Sequence, residues 1–394
     1  MTAFTKVRTD LGTLAVGFSE RGISRVTLSA DWSELGASDL RRHGLREDST
    51  PPRAVAEVAK ALQDHIAGRP QDFSAVALDT TEIPPFLLRV QRAAQAIPVG
   101  QTSSYSDLAK AAGSPSAARA AGRAMSSNPW PIIVPCHRVL PRIGFGGYSA
   151  GSGVPTKLRL LWREGYRGRT SNVAFDEHAA VEHLRQADAR LGAMIDRVGP
   201  FTLQATAPNP RGGPSPFVAL ARAIVFQQLA GKVAATIYAR VAALMGADSI
   251  DDPRDVLGLS PARLRAAGLS ENKARALTDL ARHAQDGSLP SRAEMQSMAD
   301  EDIIAALTRV RGIGRWSAQM LLLFHLGRPN VLPVADLGVQ KGFAVTYGAR
   351  RLPSAKTIER AARTWAPYAG VASWYLWRAV EVHRYDSPGK RSRG

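Results

Sequence analysis

Residues 103–139 read SSYSDLAKAAGSPSAARAAGRAMSSNPWPIIVPCHRV. The first part contains two short helical patterns separated by a Gly-Ser-Pro turn, which predicts a helix-turn-helix unit. The second part, from Asn128 onward, contains three prolines and predicts an extended or looped segment. That segment carries Cys136, the only cysteine in the chain, and His137 follows it directly. The stretch therefore predicts a helical unit beside an irregular segment that holds a thiol and an imidazole.

The composition favours a nucleic-acid partner. The chain has 394 residues, 45% of them hydrophobic, which is ordinary for a globular protein of two or three domains. Its 51 Lys and Arg exceed its 34 Asp and Glu, giving a net charge of +17. Such a field attracts polyanions, although a basic enzyme with another substrate would share it. With one cysteine, no apolar run of about 18 residues and no signal pattern, we expect a cytoplasmic protein away from membranes.

Patterns along the chain predict several parts. The N-terminal FTKVRTDLGTLAVGFSERGISRVTLS reads as β-strands, and a helix is expected near 54–66. Pro84-Pro85 marks a boundary, after which helices alternate with loops up to KLRLLWREG. Beyond 177 the chain reads as almost entirely helical, with FTLQAT the one strand candidate. The predicted parts are residues 1–83, a subdomain with strands; 84–168, a helical subdomain; 169–177, a linker; 178–388, an all-α domain; and 389–394, a basic disordered tail.

A reactive cysteine needs a group that removes its proton, because only the thiolate attacks and a free thiol has a pKa of about 8.5. His137 is the nearest candidate base. Adjacent side chains on an extended segment point to opposite faces, so a bridging water is expected between Cys136 and His137. By residue type alone, a buried and inert cysteine is the favoured interpretation.

The stretch at 103–139, the following GGYS and the later LLWREG together resemble the O6-alkylguanine-DNA alkyltransferases over residues 1–168. The resemblance implies that Cys136 accepts the alkyl group and that His137 acts as its base through water. It also implies that Glu164 orients the imidazole and that Asn128 is the hinge asparagine. The segment PRIGFGG is about one residue longer than the family form.

The same resemblance assigns the handling of a flipped nucleotide. It implies that Tyr105 rotates the base out of the duplex and that Arg119 fills the vacated stack. Tyr148 and Ser149 would line the alkylguanine pocket, and Arg138 would contact DNA. Taken singly, Arg119 reads as a solvated helix charge, Tyr105 as a core aromatic and Glu164 as a surface acid. The small residues around Arg119 fit a helix that approaches a groove closely.

A second group of residues lies in ALTRVRGIGRWSAQMLLLFHLGRPNVLPVADLGVQKG, residues 306–342. Gly312 and Gly314 permit a tight turn between two helices and leave backbone N–H groups for a phosphate. Asp336 stands in an otherwise apolar LPVADLG. A carboxylate there is costly unless it has a function or caps the helix that DLGVQKG begins.

Residues 178–385 resemble the helix-hairpin-helix DNA glycosylases of the 3-methyladenine type. The resemblance implies that Asp336 is the catalytic aspartate and that Trp316, Trp377 and Met320 line the alkylpurine pocket, Met320 replacing a tyrosine of one branch. Trp374 reads better as a core aromatic. No lysine lies beside Asp336, which implies a glycosylase without lyase activity.

The hairpin itself is expected to contact DNA through Arg311, Gly312 and Gly314, with Arg311 in place of the usual proline. The family's hairpin binds a monovalent cation through backbone carbonyls, and no other cofactor or metal is expected. The predicted fold is therefore an α+β alkyltransferase followed by an all-α helix-hairpin-helix glycosylase.

The predicted function is repair of alkylated double-stranded DNA by a monomer that carries two activities. Two alternatives belong to other classes. A non-enzymatic lesion-binding protein would keep the first fold and lack the cysteine. A transcription regulator would use the helix-turn-helix to prefer one DNA sequence. Transfer of a methyl group to Cys136 distinguishes the enzyme from a lesion-binding protein, and a preference for one DNA sequence would identify a regulator.

Overall fold

The computed structural model describes residues 3–29, 44, 46–141, 145–206 and 213–386. The chain divides into two compact units, the first made chiefly of residues 1–168 and the second chiefly of residues 169–381. The predicted basic tail at 389–394 lies outside the described residues, as do residues 142–144 within PRIGFGG. No described helix combines the length and the apolar character needed to cross a bilayer.

The first unit begins with the predicted strands. β1 (Ala3–Thr9), β2 (Gly12–Ser19) and β3 (Gly22–Ser29) form an antiparallel meander, and β4 (Arg46–Glu47) pairs in parallel with β1. Tight turns at Gly12 and Gly22, both with positive φ, connect the meander. Helix α1 (Arg53–Ile66) packs on β1 and β2. The strands and this helix thus form an α+β layer in which the central strand β2 is buried over Leu14–Phe18.

The rest of the first unit is helical with one short ladder. Its helices are α2 (Pro85–Gln95), α3 (Tyr105–Ala111), α4 (Ala118–Ser126) and α5 (Val154–Arg163). Helices α3 and α4 pack together as the predicted helix-turn-helix pair. β5 (Ser103–Ser104) pairs in parallel with β6 (Val139–Leu140), so the residues before α3 lie beside those that follow Cys136. This ladder brings the two halves of the opening stretch together.

The described part of the second unit is helical. Its helices are α6 (Glu177–Ala187), α7 (Ala189–Val198), α8 (Pro216–Phe226), α9 (Gly231–Ala243), α10 (Pro253–Leu257), α11 (Pro261–Ala266), α12 (Glu271–Gln285), α13 (Arg292–Ser297), α14 (Asp300–Leu307), α15 (Arg315–Met320), a π-helical turn (Leu321–His325), α16 (Leu337–Tyr347), α17 (Ala355–Ala362) and α18 (Ala369–Asp386). Many of these helices start at a serine or aspartate whose side chain accepts a backbone N–H, as Ser291 does for Glu294 in a capping box. Small capping residues therefore divide this apolar sequence into short helices.

Two segments of the second unit differ from simple expectations. FTLQAT, residues 201–206, does not form a strand; it is an extended segment that Asn172 holds through the backbone of Leu203 and Ala205. The segment predicted to be a linker carries ordered contacts, because Glu177 accepts hydrogen bonds from the backbone and hydroxyl groups of Thr170 and Ser171. The linker bounds stay a prediction.

Candidate active sites

Cys136 lies in a turn within the segment that the sequence predicts to be extended or looped. Residues Cys136–Arg138 form one turn of 3-10 helix, and Cys136 is 6% exposed. Ile132 precedes it with a φ of 79°, a strained value for a β-branched residue. The side chain of Asn128 fixes this bend, donating to the Val134 carbonyl at 2.8 Å and accepting from the Trp130 N–H at 3.0 Å. Asn128 thus connects α4 to the cysteine turn.

The surroundings of the thiol act in opposite directions on its acidity. Burial raises the pKa of the Cys136 thiol, while a hydrogen bond from Asn128 and the charge of Lys157 lower it. Lys157 lies on α5, is completely buried and donates to the Val139 carbonyl at 2.7 Å. Burial lowers the pKa of Lys157 itself to about 8. The protonation states of the thiol and the amine are therefore coupled: a charged Lys157 favours the thiolate, and a thiolate favours the charged amine.

Glu164, at the end of α5, binds the histidine that follows the cysteine. His137 Nε2 lies 2.7 Å from Glu164 Oε1, and both side chains are buried. His137 Nδ1 has no hydrogen-bond partner among the described residues. Burial lowers the pKa of His137 against the attraction of Glu164. The structure thus brings together Cys136, His137, Glu164 and Asn128, with a neutral imidazole whose Nδ1 can accept a proton.

Arg138 does not fit the predicted DNA contact. Its Nε and one terminal nitrogen donate to the two oxygens of Glu164 at 2.9 Å each, and the other donates to the Ile97 carbonyl at 2.6 Å. Only 6% of the residue is exposed. Because the guanidinium is hydrogen-bonded inside the unit, Arg138 is a buried counter-charge for Glu164. These contacts do not support the predicted contact with DNA, which stays a prediction.

Two buried residues of this site were not identified from the sequence. His65, on α1, binds the same oxygen of Glu164 as His137, with its Nε2 at 2.8 Å. Lys157 is the other. Each interrupts the buried face of an amphipathic helix, beside Ile66 in α1 and beside Leu158 in α5. A polar residue on an otherwise apolar helix face is the signal that could have identified both.

The residues predicted to handle the flipped nucleotide are placed around this core. Tyr105 begins α3 half-buried, and burial together with the nearby Cys136 raises the pKa of its phenol. The Tyr148 hydroxyl is buried without a hydrogen-bond partner among the described residues, whereas Ser149 is exposed. Arg119 is exposed on α4. The structure places Tyr105 and Tyr148 near the thiol and leaves the role of Arg119 a prediction.

In the second unit, Asp336 receives three N–H groups. It caps α16 by accepting from the Val339 N–H at 2.9 Å. The indole of Trp377 donates to Oδ1 at 2.7 Å, and the indole of Trp316 donates to Oδ2 at 2.9 Å. The capping role that the sequence offered as an alternative is therefore real, and two tryptophans predicted for the base pocket share the carboxylate.

Two glycines let α16 approach α18 closely enough for these contacts. A Cβ on Gly338 would lie 2.5 Å from Trp377 Cδ1 and 3.0 Å from Asp336 Oδ1. A Cβ on Gly342, one turn later, would lie 1.9 Å from the Leu376 carbonyl oxygen. Any side chain at these positions would force the helices apart, so the glycines determine the distance from the carboxylate to Trp377.

The aromatic surface beside Asp336 includes a residue that was not predicted. Phe324 is exposed and lies 5.3 Å from Trp377 with an interplanar angle of 35°. Trp316 is 46% exposed, and Met320 is partly buried against the core. Trp374 is buried in edge contact with Phe201, as the core interpretation predicted. Exposed aromatic faces next to a carboxylate suit a flat, electron-poor base.

Side chains from other parts of the second unit hydrogen-bond to the backbone of the hairpin between α14 and α15. Asp279 accepts the Arg311 N–H at 2.8 Å, and the Gln227 side chain donates to the Gly312 carbonyl at 3.1 Å. Gly312 has a φ of 79°. The N–H groups of Gly312 and Gly314 have no acceptor within the described part of the chain. The turn therefore offers two glycine N–H groups, whereas the Arg311 N–H is already occupied.

Comparison with known proteins assigns each unit to a family. Residues 85–166 match the family described as 6-O-methylguanine DNA methyltransferase, DNA binding domain. Residues 221–367 match the HhH-GPD superfamily of base excision DNA repair proteins. The two matches lie in different units and do not overlap.

Individual relatives agree with this division. The chain is 37% identical over 166 residues to the constitutive methylated-DNA–protein-cysteine methyltransferase of Bacillus subtilis, covering 41% of this chain and 94% of that protein. It is 30% identical over 173 residues to DNA-3-methyladenine glycosylase 1 of Schizosaccharomyces pombe, covering 44% and 76%. A solved DNA-3-methyladenine glycosidase from Bacillus halodurans is 36% identical, covering 51% and 88%, with a TM-score of 0.46.

Proposed function

The chain belongs to both the 6-O-methylguanine DNA methyltransferases and the HhH-GPD base excision repair proteins, and we propose that it repairs alkylated DNA by two separate reactions. The first unit transfers the alkyl group of O6-alkylguanine to its own cysteine. The second unit excises alkylated purines such as 3-methyladenine. Methylating agents generate both lesions, so one chain would answer one kind of damage.

The observation that carries the first reaction is the buried Cys136 next to His137. The Nε2 of His137 is hydrogen-bonded to Glu164, and its Nδ1 has no partner among the residues that the structure describes. His137 takes the thiol proton through a bridging water. The sulfur attacks the methyl carbon in line, the carbon–oxygen bond breaks, and guanine leaves with a proton in place of the methyl group. Asn128 and Lys157 stabilise the thiolate as it forms. Glu164 keeps His137 in the tautomer that leaves Nδ1 basic.

The thioether product has no route back to a thiol in this mechanism, so each molecule reacts once. Incubation with duplex DNA that contains O6-methylguanine is expected to add the mass of one methyl group, mapped to the peptide of Cys136. An intact-protein mass that stays unchanged with excess substrate would remove the first half of the proposal.

The observation that carries the second reaction is a half-buried Asp336 beside exposed aromatic faces. The flipped purine stacks on Trp316, Phe324 and Trp377. The carboxylate stabilises the positive charge that develops on the deoxyribose as the glycosidic bond breaks, and it orients the attacking water. Because an alkylated purine is cationic and already labile, stacking and one charge suffice. No lysine adjoins Asp336, which supports a glycosylase without lyase activity.

Release of 3-methyladenine from methylated duplex DNA tests the second reaction. Wild type is expected to release free base and to leave abasic sites unbroken until alkali is added. Strand cleavage without alkali would contradict the monofunctional assignment, and absence of any released base would contradict the excision itself.

The partner and the location are part of the same proposal. The proposed partner is double-stranded DNA that contains alkylated bases, bound by a monomer in the cytoplasm near the nucleoid; the net charge of +17 supports it. A monovalent cation at the hairpin would bind backbone carbonyls. Those of Val310 and Gly312 each accept one hydrogen bond and keep a second lone pair, which is compatible with a cation.

A further inference from the structure

Glu164 binds two histidines at one oxygen. Its Oε1 accepts from His137 Nε2 at 2.7 Å, from His65 Nε2 at 2.8 Å and from Arg138 at 2.9 Å. The side chains of His65, His137 and Glu164 are each 2% exposed or less. His65 stands on α1, 99 residues before Glu164, and no step of the alkyl transfer described above uses it.

Hydrogen bonding fixes the tautomers of both rings. Nδ1 of His65 accepts the backbone N–H of Gln71 at 3.1 Å, so its ring proton is on Nε2 and points to Glu164. His65 is therefore a neutral donor, and it also contacts Phe73 edge to face with centroids 5.4 Å apart. His137 donates to the same oxygen from Nε2, which leaves Nδ1 as the only basic nitrogen of the pair.

A metal site is the alternative interpretation of a cluster of two imidazoles and one carboxylate. The ligand atoms of His65, His137 and Glu164 lie within 4.8 Å of one another. Around zinc, however, tetrahedral ligands at about 2.1 Å from the ion lie about 3.4 Å apart. The 2.7 and 2.8 Å separations are those of hydrogen bonds, and the Arg138 guanidinium on the same carboxylate repels a cation. The cluster is thus a hydrogen-bonded group.

We propose that His65 is a positioning residue for methyl transfer to Cys136. It shares Glu164 Oε1 with His137, which holds the carboxylate in place and limits how strongly the carboxylate stabilises a protonated His137. This inference rests on the proposed alkyltransferase function. A lone Glu164–His137 pair would stabilise the imidazolium strongly, whereas a second donor on the same oxygen draws electron density away from that bond. His137 then stays neutral and ready to accept the thiol proton.

The other titratable and charged groups that face Glu164 and Cys136 are unchanged in the variants at His65 and Gln91 that are compared below. Arg138, on the same 3-10 turn as His137, pairs with Glu164, and Tyr148, from the loop before α5, faces both Cys136 and Glu164. Lys157 faces Cys136 from α5. Burial alone would raise the pKa of Glu164, but His137, His65 and Arg138 together hold it well below its ordinary value. Glu164 is therefore ionised across any pH at which the reaction is measured.

The test is the pH dependence of methyl transfer within the protein–DNA complex, followed as single-turnover mass gain with full-length protein in excess over a duplex containing O6-methylguanine. Loss of the donor in His65→Phe is expected to move the acid limb upward by about one pH unit and so to lower the rate about tenfold at pH values on that limb. His65→Gln keeps an N–H at similar reach and is expected to restore both. Gln91→Leu, a buried amide elsewhere in the unit with no hydrogen-bond partner among the described residues, is expected to match wild type.

The outcomes separate the inference from its premise. If the acid limb of the pH–rate profile were the same in His65→Phe as in wild type, the positioning role would be overturned. This holds even if the variant preparation contained a smaller fraction of active protein. A wild type that accepts no methyl group would remove the alkyltransferase proposal instead. Nitrogen NMR of the wild-type imidazoles checks the same point without any variant. Both rings are expected to carry the proton on Nε2; a doubly protonated His65, or stoichiometric zinc in the purified protein, would contradict the inference.

Discussion

At the scale of single residues, Asp336 has two roles that one substitution can separate. Asparagine caps helices as well as aspartate does, so Asp336→Asn is expected to keep the cap on α16 through its amide oxygen. Its NH2 group cannot accept from the half-exposed Trp316 indole, so a small decrease in the melting temperature is expected. The charge is lost, and release of 3-methyladenine is expected to fall at least about a hundredfold. Excision assays and thermal unfolding of the same preparations measure the two effects.

Asp252 provides the matched control, since it caps α10 through the Arg254 N–H and lies among exposed residues. Asp252→Asn is expected to leave both excision and melting temperature unchanged. If Asp336→Asn excised base at the wild-type rate, its carboxylate would be a helix cap and nothing more.

Glu164 is the residue on which the first unit depends most for stability. Glu164→Gln leaves the guanidinium of Arg138 buried without a counter-charge, and we expect a loss of about 3 kcal/mol in the free energy of unfolding of that unit. Urea denaturation followed by hydrogen exchange of peptides from residues 1–168 resolves this unit from the second. Glu57→Gln, which removes an exposed partner of Arg53, should give no detectable change, and equal effects of the two substitutions would contradict the account.

Some residues of the site could be predicted from the sequence and others could not. Cys136, His137 and Asn128 lie within ten residues of one another, so their pattern is visible in one segment. His65 reaches Glu164 only because α1 folds back over 99 residues, and a single sequence does not display that contact. Arg138 was assigned to DNA from the resemblance, and the motif alone does not display its burial beside Glu164.

At the scale of secondary-structure elements, the contact between α16 and α18 decides the position of Asp336. Gly342→Ala would place a Cβ against the Leu376 carbonyl, so we expect a destabilisation of about 3 kcal/mol or more and loss of excision. Gly231→Ala is the control, because nothing lies near its Cβ and its φ is not positive. Chemical denaturation and base release measure both variants. A Gly342→Ala protein with wild-type stability would contradict the close packing.

The π-helical turn at Leu321–His325 predicts a pH dependence in the second unit. Burial lowers the pKa of His325 from 6.5 to about 4, and its Nδ1 lies 2.8 Å from the Thr206 hydroxyl. The unfolded chain binds a proton near the higher value and the folded chain only near the lower one. Stability is therefore present above pH 6.5 and is lost as pH falls toward 4.

Replacing His325 by phenylalanine removes this titration. Between pH 6.5 and pH 4, the melting temperature of the second unit is expected to change less in His325→Phe than in wild type. A constant difference in melting temperature between the two proteins does not affect this comparison. Equal slopes for both proteins, measured by scanning calorimetry over that range, would show that His325 does not titrate between its folded and unfolded values.

At the scale of the whole molecule, the charge of +17 predicts strongly salt-dependent DNA binding. Each phosphate contact by lysine or arginine releases a counterion. The dissociation constant for an undamaged duplex is therefore expected to rise at least about tenfold between roughly 50 and 200 mM salt. Fluorescence anisotropy measures it, and an affinity independent of salt would contradict electrostatic binding.

Composition and motif spacing predicted the two-part architecture well, because each part carries its own local signals: alternating strands, a Gly-Ser-Pro turn and a Gly-Ile-Gly hairpin. The bounds of the connection between the parts stay a prediction, but its local contacts were not visible in the sequence. Residues 169–177 read as polar and aperiodic, yet the carboxylate of Glu177 accepts the backbone N–H groups of Thr170 and Ser171. One acidic side chain at a helix start can organise a segment that has no periodicity of its own.

The central claim is that one chain carries two independent repair reactions, and a crosswise assay tests it most directly. Methyl transfer from O6-methylguanine duplex and release of 3-methyladenine are measured in wild type, Cys136→Ala and Asp336→Asn. The account predicts that wild type performs both, that Cys136→Ala loses only transfer and that Asp336→Asn loses only excision. Loss of both reactions in either folded variant, or loss of neither, would contradict it.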